Sequence, residues 1–426
     1  MSRNDEAWEK LFAGHAIIET VKRDGFCEIS ADSIRVLREP RLMTKFDHRV
    51  NLPHIFADNG LAVLPLSRSG YVIAAFSAYA EIPREASAMP VQIVRPPAYL
   101  QSLSSSYVTS EAVALHYAGA CGIWEDFLEE EGLTPTVSGR MGSGKFEFRI
   151  NTTGGECRLD VCNAQLEIDA AWEGRGSLAL IEAKMDLSED FHIRQLYYPF
   201  RLWRNRVSKP VRSIFFNYSD GMFTLYEYAF ADPFHYNSLN LIRKKRYIVA
   251  TDISRRDLEH LLQAAIPEEE PAEPFPQADD FTRVINLLEL LNVQPMSAED
   301  IAARYSFTAR QAAYYSAAGR YLGLMAQERT GAAVRHTLSG QGRRLMTLPL
   351  RERRLALAAA ILKHSVFRET LRLALAGNGT AELPSRNEIV HIMREASPCG
   401  VEGESTFFRR ASTVRGWIRW ILELCE

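Results

Sequence analysis

The chain has 426 residues, 46% hydrophobic and 24% charged, which is long enough for two to four domains and ordinary for a soluble globular protein. No apolar run approaches the ~20 residues that span a bilayer, and the six scattered cysteines form no CxxC pair, which argues against a membrane protein and against a zinc site. With the polar start MSRNDEAWEK, these features predict a cytoplasmic bacterial or archaeal protein without a signal peptide.

The net charge of −3 hides an uneven distribution of charge along the chain. Residues 281–426 carry about +7, residues 267–280 carry −6, and residues 1–266 carry about −4. A basic C-terminal third is expected of a module that follows a phosphate backbone, although an ordinary basic helical domain has the same charge.

Residues 1–100 mix short strands and turns and form the first predicted region. Leu61–Phe76 is an apolar run broken at residues 67–70, which predicts a hairpin. The preceding segment, Arg38–Pro53, is dense in Arg, Lys and His. It is either a nucleic-acid-binding loop or a solvated basic loop.

Residues 101–266 predict a mixed unit of helices and strands. A helix capped by Ser110 is predicted over residues 107–131, and a strand over Lys145–Ile150. A second helix is predicted over Glu189–Asn205. Two further strands flank the turn at residues 219–221.

The most informative stretch is a pair of apolar runs, residues 165–172 and 177–184, joined by a Gly-Arg-Gly turn. If the two runs pair as a hairpin whose residue numbers sum to 351, Asp169 lies opposite Glu182, with Cβ atoms roughly 5 Å apart. Two carboxylates at that distance repel each other, so we expect a divalent cation held by their oxygens. Strand alternation places Lys184 on the same face as Glu182.

The pattern Asp169, Glu182-Ala183-Lys184 and Gln195 resembles the PD-(D/E)XK nuclease superfamily, which includes most type II restriction endonucleases. The resemblance covers residues 165–198, and Ile168 stands where the family motif has Pro. It implies an α+β, restriction-endonuclease-like core. It also implies Mg²⁺ held by Asp169, Glu182 and the Ala183 carbonyl, with Asp169, Glu182, Lys184 and Gln195 as the catalytic residues.

In that resemblance Lys184 orients and helps to deprotonate the attacking water, or stabilises the transition-state charge. Gln195 positions the water or a phosphate. Glu167 is a candidate ligand of a second metal, and Glu111 stands where some family members place another acid. A surface ladder pair is the alternative for Glu182 and Lys184, but the run LALIEAK is apolar on both faces, which is typical of a buried strand.

Pro267–Asp280, with four prolines and six acids, predicts a linker that contributes to no core. Beyond it, helices are predicted over Ser297–Tyr305 and Ala309–Leu322, followed by a hairpin and a helix beginning at Gly340–Met346. This order over residues 281–350 resembles a winged helix-turn-helix with Thr308–Leu322 as recognition helix. Residues 351–426 predict a helical segment, with a second DNA-binding unit as one interpretation.

The first turn of a recognition helix faces base edges, which singles out Arg310 and Gln311, with Tyr314 one turn on. Arg335 on the wing, and Arg409 and Arg410 on the last helix, are predicted to contact phosphates. The alternatives are that the winged helix makes protein contacts and that Arg310 only caps or solvates its helix.

The leading hypothesis is a type II restriction endonuclease that hydrolyses double-stranded DNA with Mg²⁺, acts as a homodimer, and has a cognate DNA methyltransferase as genetic partner. The alternatives are another PD-(D/E)XK DNA nuclease, in repair or antiphage defence, and a non-catalytic winged-helix DNA-binding regulator. No GxSxG, Walker A or GxGxxG motif occurs, which argues against serine-hydrolase and ATP-driven chemistry.

Overall fold

The computed structural model describes residues 3–83, 90–103, 108–305, 307–331, 333–376 and 382–425. Over these residues the chain is a mixed α+β protein with a seven-stranded sheet at its centre and a run of helices at its C-terminal end. No helix in the described ranges is long and apolar enough to cross a bilayer.

The N-terminal unit is a three-stranded antiparallel sheet covered by short helices. Its elements are α1 (Arg3–Gly14), α2 (Ile17–Asp24), β1 (Cys27–Ser30), α3 (Ala31–Arg35), α4 (Pro40–Thr44), a 3-10 turn (Arg49–Asn51), α5 (His54–Asp58), β2 (Ala62–Pro65) and β3 (Gly70–Ala74). The hairpin predicted within Leu61–Phe76 is confirmed, because β2 and β3 pair antiparallel around the turn. Trp8, Phe12 and Phe56 meet edge to face in the core of this unit.

The central unit contains the seven-stranded sheet. Its elements are β4 (Tyr79–Glu81), β5 (Val91–Val94), α6 (Glu111–Ala120), α7 (Ile123–Leu128), β6 (Thr134–Pro135), β7 (Gly139–Gly142), β8 (Lys145–Thr152), β9 (Gly155–Cys162), β10 (Gln165–Ile168), β11 (Ala170–Glu173), β12 (Leu178–Lys184), β13 (Asp190–His192), α8 (Arg194–Arg204), β14 (Val211–Ser219), β15 (Met222–Phe230), β16 (Leu239–Val249) and α9 (Arg255–Ala264). The strand order is β5-β16-β15-β14-β12-β11-β6, with β12–β14 and β16–β5 parallel.

The two faces of β12 belong to two different hydrophobic cores. Leu178 and Leu180 pack with α8 on one face, and Ala179 and Ile181 pack with α6 and α7 on the other. Because side chains alternate along a strand, Glu182 and Lys184 project to the α8 face. The apolar run LALIEAK is therefore the buried central strand that the sequence predicts.

Three predicted elements differ from the observed ones. The helix predicted over residues 107–131 is two helices, α6 and α7, because Gly122 adopts a left-handed φ of 69° between them; residue 107 lies outside the described ranges. The helix predicted from Glu189 begins only at Arg194, because Asp190–His192 pairs with β4 as a strand. The run 165–172 is two strands, with β10 pairing β7 and β11 pairing β12.

The sequence predicts a boundary between the N-terminal and central units at residue 100, but two strands that precede this residue pair with strands of the central unit. β4 pairs with β13 and β5 pairs with β16, so Tyr79–Glu81 and Val91–Val94 contribute strands to the central unit. The predicted strand Lys145–Ile150 is present, but β8 forms a separate hairpin with β9 outside the large sheet, with single bridges from Thr152 to Phe76 and from Arg149 to His235.

The C-terminal unit is helical with one hairpin. Its elements are α10 (Phe281–Val293), α11 (Ala298–Tyr305), α12 (Ala309–Tyr321), β17 (Met325–Thr330), β18 (Ala333–Leu338), α13 (Gly340–Met346), α14 (Leu350–Leu362), α15 (Ser365–Leu375), α16 (Arg386–Ala396) and α17 (Glu404–Glu423). Helices and hairpin fall where the sequence predicts them, and the side chain of Thr308 caps α12. Of the predicted turn between α11 and α12, Ser306 lies outside the described ranges.

The acidic segment at residues 267–280 has no regular structure, as expected of a linker, but the expectation that it contributes to no core is wrong. Phe275 and Ala278 are buried in the C-terminal core, and Phe275 stacks on Phe367 with ring centroids 5.6 Å apart. Its acids also pair with side chains of the C-terminal unit, since Glu273 pairs with Arg320 at 2.7 Å. The composition of the segment did not predict this packing, because two buried residues, Phe275 and Ala278, are enough to attach it to the core.

A buried ionic cluster fastens the C-terminal unit to the central sheet. Asp220, in the turn between β14 and β15, accepts from Arg353 Nη2 at 3.1 Å and from Arg354 Nε at 3.0 Å. Glu289 of α10 accepts from the Ser219 hydroxyl at 2.7 Å and from the Asp220 N–H at 3.0 Å. Both arginine side chains are at most 5% exposed, so this cluster is shielded from water and salt.

We therefore expect Asp220→Ala to destabilise the protein by about 3–5 kcal/mol, because it leaves two buried guanidinium groups without their main carboxylate. Chemical denaturation measures the loss. The control is Asp24→Ala, which removes the exposed pair Arg23–Asp24 and is expected to leave the unfolding midpoint unchanged. Equal midpoints for both variants would contradict the role of the cluster.

Candidate functional site

Four residues singled out by the sequence meet where β12 ends. Glu182 and Lys184 are the last side chains on the α8 face of β12, and Gln195 lies in the first turn of α8. Asp169 occupies the bend between β10 and β11, beside the same strand end. The predicted convergence of these side chains is therefore present in the structure.

Glu182 Oε1 is the common acceptor of the group. Lys184 Nζ and Gln195 Nε2 each donate to it at 2.5 Å. The second oxygen, Oε2, makes no hydrogen bond within the described ranges, and Glu182 lines the adjoining cleft. One carboxylate oxygen is thus held by the protein while the other is available to a ligand.

Asp169 is held in a similar way. Its Oδ2 accepts the backbone N–H of Ala183 at 2.8 Å, which leaves Oδ1 without a protein donor in the described part of the chain. The predicted hairpin register is correct for β11, where Ala170 faces Ile181. The ladder ends there, however, so Asp169 reaches the site from a bend rather than from a paired strand position.

Burial sets the protonation of the site. Burial raises the pKa of Glu182 to about 7 against the opposing charge of Lys184, and it also raises the pKa of Asp169. Burial by itself lowers the pKa of Lys184, but the surrounding carboxylates, Glu182 first among them, more than offset this, so its pKa lies above the usual value. Lys184 is therefore an ammonium at neutral pH.

Two further acids considered in the sequence take different positions. Glu111, the first residue of α6, lines the same cleft; burial raises its pKa, Asp169 raises it further, and Lys184 opposes the rise. Glu167 also lines the cleft but pairs with Arg140 at 3.3 Å and Arg41 at 3.6 Å. Glu111 thus lies within the electric field of the site, whereas Glu167 is committed to ion pairs.

The site opens into a cleft of about 1330 Å³ that is larger than the roughly 300–1,000 Å³ of a small-molecule pocket. All three units line it. The N-terminal unit contributes the segment 41–51 and the β2–β3 turn, the central unit contributes the acids and the start of α8, and the C-terminal unit contributes α10, α11 and one residue of β18. Its size and polar walls suit a segment of a polymer.

Sequence reasoning missed three residues of this cleft. Asp47 lies close enough to Lys184 that the lysine lowers its pKa despite the opposing effect of burial. Asp186, 2% exposed, pairs through Oδ2 with Arg304 Nε of α11 at 3.0 Å, while its Oδ1 is buried without a hydrogen-bond partner. Asp47 and Arg304 come from other units, so no local pattern identifies them, whereas Asp186 lies in the central unit two residues after Lys184.

The predicted DNA contacts divide into two groups. Arg335 of β18 lines the cleft. Arg310, Gln311 and Tyr314 of α12 are not among the residues that line it: Arg310 Nε donates to the Tyr314 hydroxyl, and Gln311 accepts the Thr308 N–H as part of the helix cap.

Arg409 and Arg410 of α17 also lie outside the cleft lining. Arg409 is exposed and donates to the Ser405 carbonyl at 3.3 Å. Burial lowers the pKa of Arg410, and the neighbouring charge of Arg409 lowers it further, while Tyr314 opposes the shift.

The oxygens at the strand end fit a hard divalent cation. Asp169 Oδ1 and Glu182 Oε2 are the available carboxylate atoms, and the buried Gln195 Oε1 has no hydrogen-bond partner. In the described ranges no group of three or more His, Cys, Asp or Glu side chains is arranged to hold a metal. A cation here would rely on the two carboxylates and the Ala183 carbonyl, all of them ligands that Mg²⁺ accepts.

Three protein-family models match the chain, and each describes a domain of unknown function. The first (DUF6996) matches residues 5–73, the second (DUF6997) residues 74–248, and the third (DUF7226) residues 283–426. The candidate site falls within the second match, and α10 to α17 fall largely within the third. No curated protein and no solved structure matches the chain.

The raised pKa of Glu182 predicts pH-dependent cation binding. The carboxylate must be ionised to bind a metal, so affinity increases as pH rises through about 7. Saturating Mg²⁺ should therefore raise the melting temperature more at about pH 8 than at about pH 6. Glu182→Gln should abolish that difference and the exposed control Glu6→Gln should preserve it. Equal stabilisation at both pH values would contradict the assignment.

Proposed function

We propose that this chain is a Mg²⁺-dependent DNA endonuclease with a PD-(D/E)XK core, acting as a type II restriction endonuclease. The observation that carries the proposal is the convergence of Asp169, Glu182, Lys184 and Gln195 at the end of one buried strand. The buried charges are costly to maintain, and a purely structural role does not explain why one oxygen of each carboxylate is left available.

The residues divide the chemistry among them. Asp169, Glu182 and the Ala183 carbonyl would hold Mg²⁺, which polarises the scissile phosphate and lowers the pKa of a bound water. The raised pKa of Lys184 favours a lysine that keeps its proton and stabilises negative charge on the phosphate, rather than one that accepts a proton from water. Gln195 holds Glu182 in place, and its free Oε1 suits the orientation of a water.

We propose that the winged-helix part of the C-terminal unit, with α11 and α12 as the helix-turn-helix and β17–β18 as the wing, recognises DNA sequence. Arg310 and Tyr314 of α12, and Arg409 and Arg410 of α17, all lie outside the lining of the cleft. Arginine suits bidentate bonds to guanine, and an exposed arginine such as Arg409 suits a phosphate, whereas Arg410 is partly buried.

A double-strand break needs two such sites or two successive nicks by one site. We propose that two copies act together on a duplex, with a cognate DNA methyltransferase protecting the host genome. A repair or antiphage-defence nuclease would use the same four residues. A methyltransferase gene adjacent to the gene for this chain would favour restriction over those alternatives.

Single substitutions test the catalytic assignment. We expect Asp169→Ala, Glu182→Ala and Lys184→Ala each to lower the rate of cleavage of unmethylated DNA by at least about 10³-fold, because each removes a metal ligand or a charge-stabilising group. DNA binding should remain measurable, and Ca²⁺ should support binding without cleavage. The matched control is Lys209→Ala, which removes a half-buried pair with Glu173 near the other end of the same hairpin. Full cleavage by Lys184→Ala would contradict the mechanism.

Recognition is tested separately. Arg310→Ala should change the sequence preference, with about 1–3 kcal/mol of discrimination lost at one base pair. Arg409→Ala should weaken binding to all sequences equally, because a phosphate contact carries no sequence information. Sequencing the cleaved ends of a randomised library measures the preference, and equilibrium binding to one fixed duplex measures the uniform loss of affinity. An unchanged preference in Arg310→Ala would exclude α12 as the reader.

A further inference from the structure

The cationic side chains of the cleft are not equivalent. Eight lysines and arginines line it, and five of them are neutralised by carboxylates in the described structure: Arg41 and Arg140 by Glu167, Lys45 by Asp47, Lys184 by Glu182, and Arg304 by Asp186. The remaining three, Arg68, Arg194 and Arg335, form no ion pair with any described residue.

These three arginines come from three different units. Arg68 lies exposed in the turn between β2 and β3 of the N-terminal unit. Arg335 lies exposed on β18 of the C-terminal unit, opposite Glu328 in the ladder but without an ion pair to it. Arg194 begins α8 in the central unit, next to Gln195, with its guanidinium 6.0 Å from the centre of the Tyr198 ring.

Arg194 acts electrically on the catalytic end of the cleft. Burial opposes the lowering of the Asp47 pKa; among the neighbouring cations Lys184 lowers that pKa most, and Arg194 adds to the effect. Burial is the main cause that lowers the pKa of His192, and the charge of Arg194 lowers it further. A cation without an ion pair to any described residue beside the acids, with one more on each flanking unit, gives the cleft three positions where a dianionic or polyanionic ligand gains charge-assisted hydrogen bonds.

We propose that Arg68, Arg194 and Arg335 hold successive backbone phosphates of the nucleic acid strand that crosses the Asp169–Glu182 site. This inference rests on the proposed nuclease function and adds to it the positioning residues for the substrate backbone. Arg194 holds the phosphate nearest the reacting one, and Arg68 and Arg335 hold the strand where it enters and leaves the cleft. The three contacts position the strand without reading its sequence.

Arginines without an ion pair are common on protein surfaces. The chain offers a control variant for an exposed positive charge that lies outside the cleft. Arg175, in the turn between β11 and β12, is exposed and forms no ion pair with any described residue, but it lies at the opposite end of β12 from Lys184 and outside the cleft lining. If exposure and positive charge alone determined binding, Arg175 would contribute as much as Arg68 or Arg335.

The test measures equilibrium binding of a labelled DNA oligonucleotide to the full chain carrying Asp169→Ala, over a range of salt concentrations, by fluorescence anisotropy. We expect Arg68→Ala and Arg335→Ala each to raise Kd by about tenfold and to reduce the slope of log K against log salt by about 0.7–0.9, the value for one lost phosphate contact. Arg68→Lys should retain the slope, and Arg175→Ala should change neither quantity. Melting temperatures of these exposed-site variants check that each is folded.

Arg68→Ala and Arg335→Ala variants that bind like Arg175→Ala would overturn the inference, even in a chain that cleaves DNA with Asp169 intact. The opposite combination is that the arginine variants reduce the salt slope while the chain with Asp169 intact fails to cleave DNA. That result would support the phosphate contacts and contradict the proposed nuclease function. A chain that binds no DNA at any salt concentration would overturn both.

Discussion

The buried pair of Glu182 and Lys184 is the interaction on which the candidate site depends. Their side chains are about 10% exposed, at the end of a strand whose other residues are hydrophobic. A buried charge without its partner costs about 3–5 kcal/mol, so each of these residues requires the other. Gln195 satisfies the same carboxylate oxygen, which ties the position of α8 to the charge pair.

This pair also explains why so many acids gather at the strand end. Lys184 interacts with Asp47, Glu111 and Asp169 as well as with Glu182, so one ammonium faces four carboxylates. Burial of Asp169 and Glu182 raises their pKa values, which means that the site holds its negative charge at a cost. A divalent cation bound by the available oxygens would remove most of that cost.

The C-terminal unit completes the cleft because its attachment to the sheet is fixed. The cluster around Asp220 orients α10 and α14 on the β14–β15 turn, and Asn286 of α10 donates to the Met185 carbonyl at 2.7 Å, directly after Lys184. Helix α11 then reaches the site, where Arg304 binds Asp186, while Asn51 of the N-terminal unit donates to the Ala303 carbonyl at 2.8 Å. The two flanking units therefore meet beside the candidate site.

The sequence by itself determined the local features of the chain. The alternation in LALIEAK places Glu182 and Lys184 on one face, the Gly-Arg-Gly turn fixes the register of Ala170 against Ile181, and Thr308 and Ser110 cap their helices. These features depend on neighbours within a few residues, so periodicity and capping patterns identify them.

Only the tertiary structure decided the rest. The break at Asp169 arises because Gln165–Ile168 pairs with β7 while Ala170–Glu173 pairs with β12, and no local pattern encodes a choice between distant partners. Asp47 and Arg304 reach the site through the docking of separate units, and the acidic segment packs through Phe275 despite its composition. Each of these outcomes rests on contacts between residues far apart in the chain, where packing and buried charge outweigh local preference.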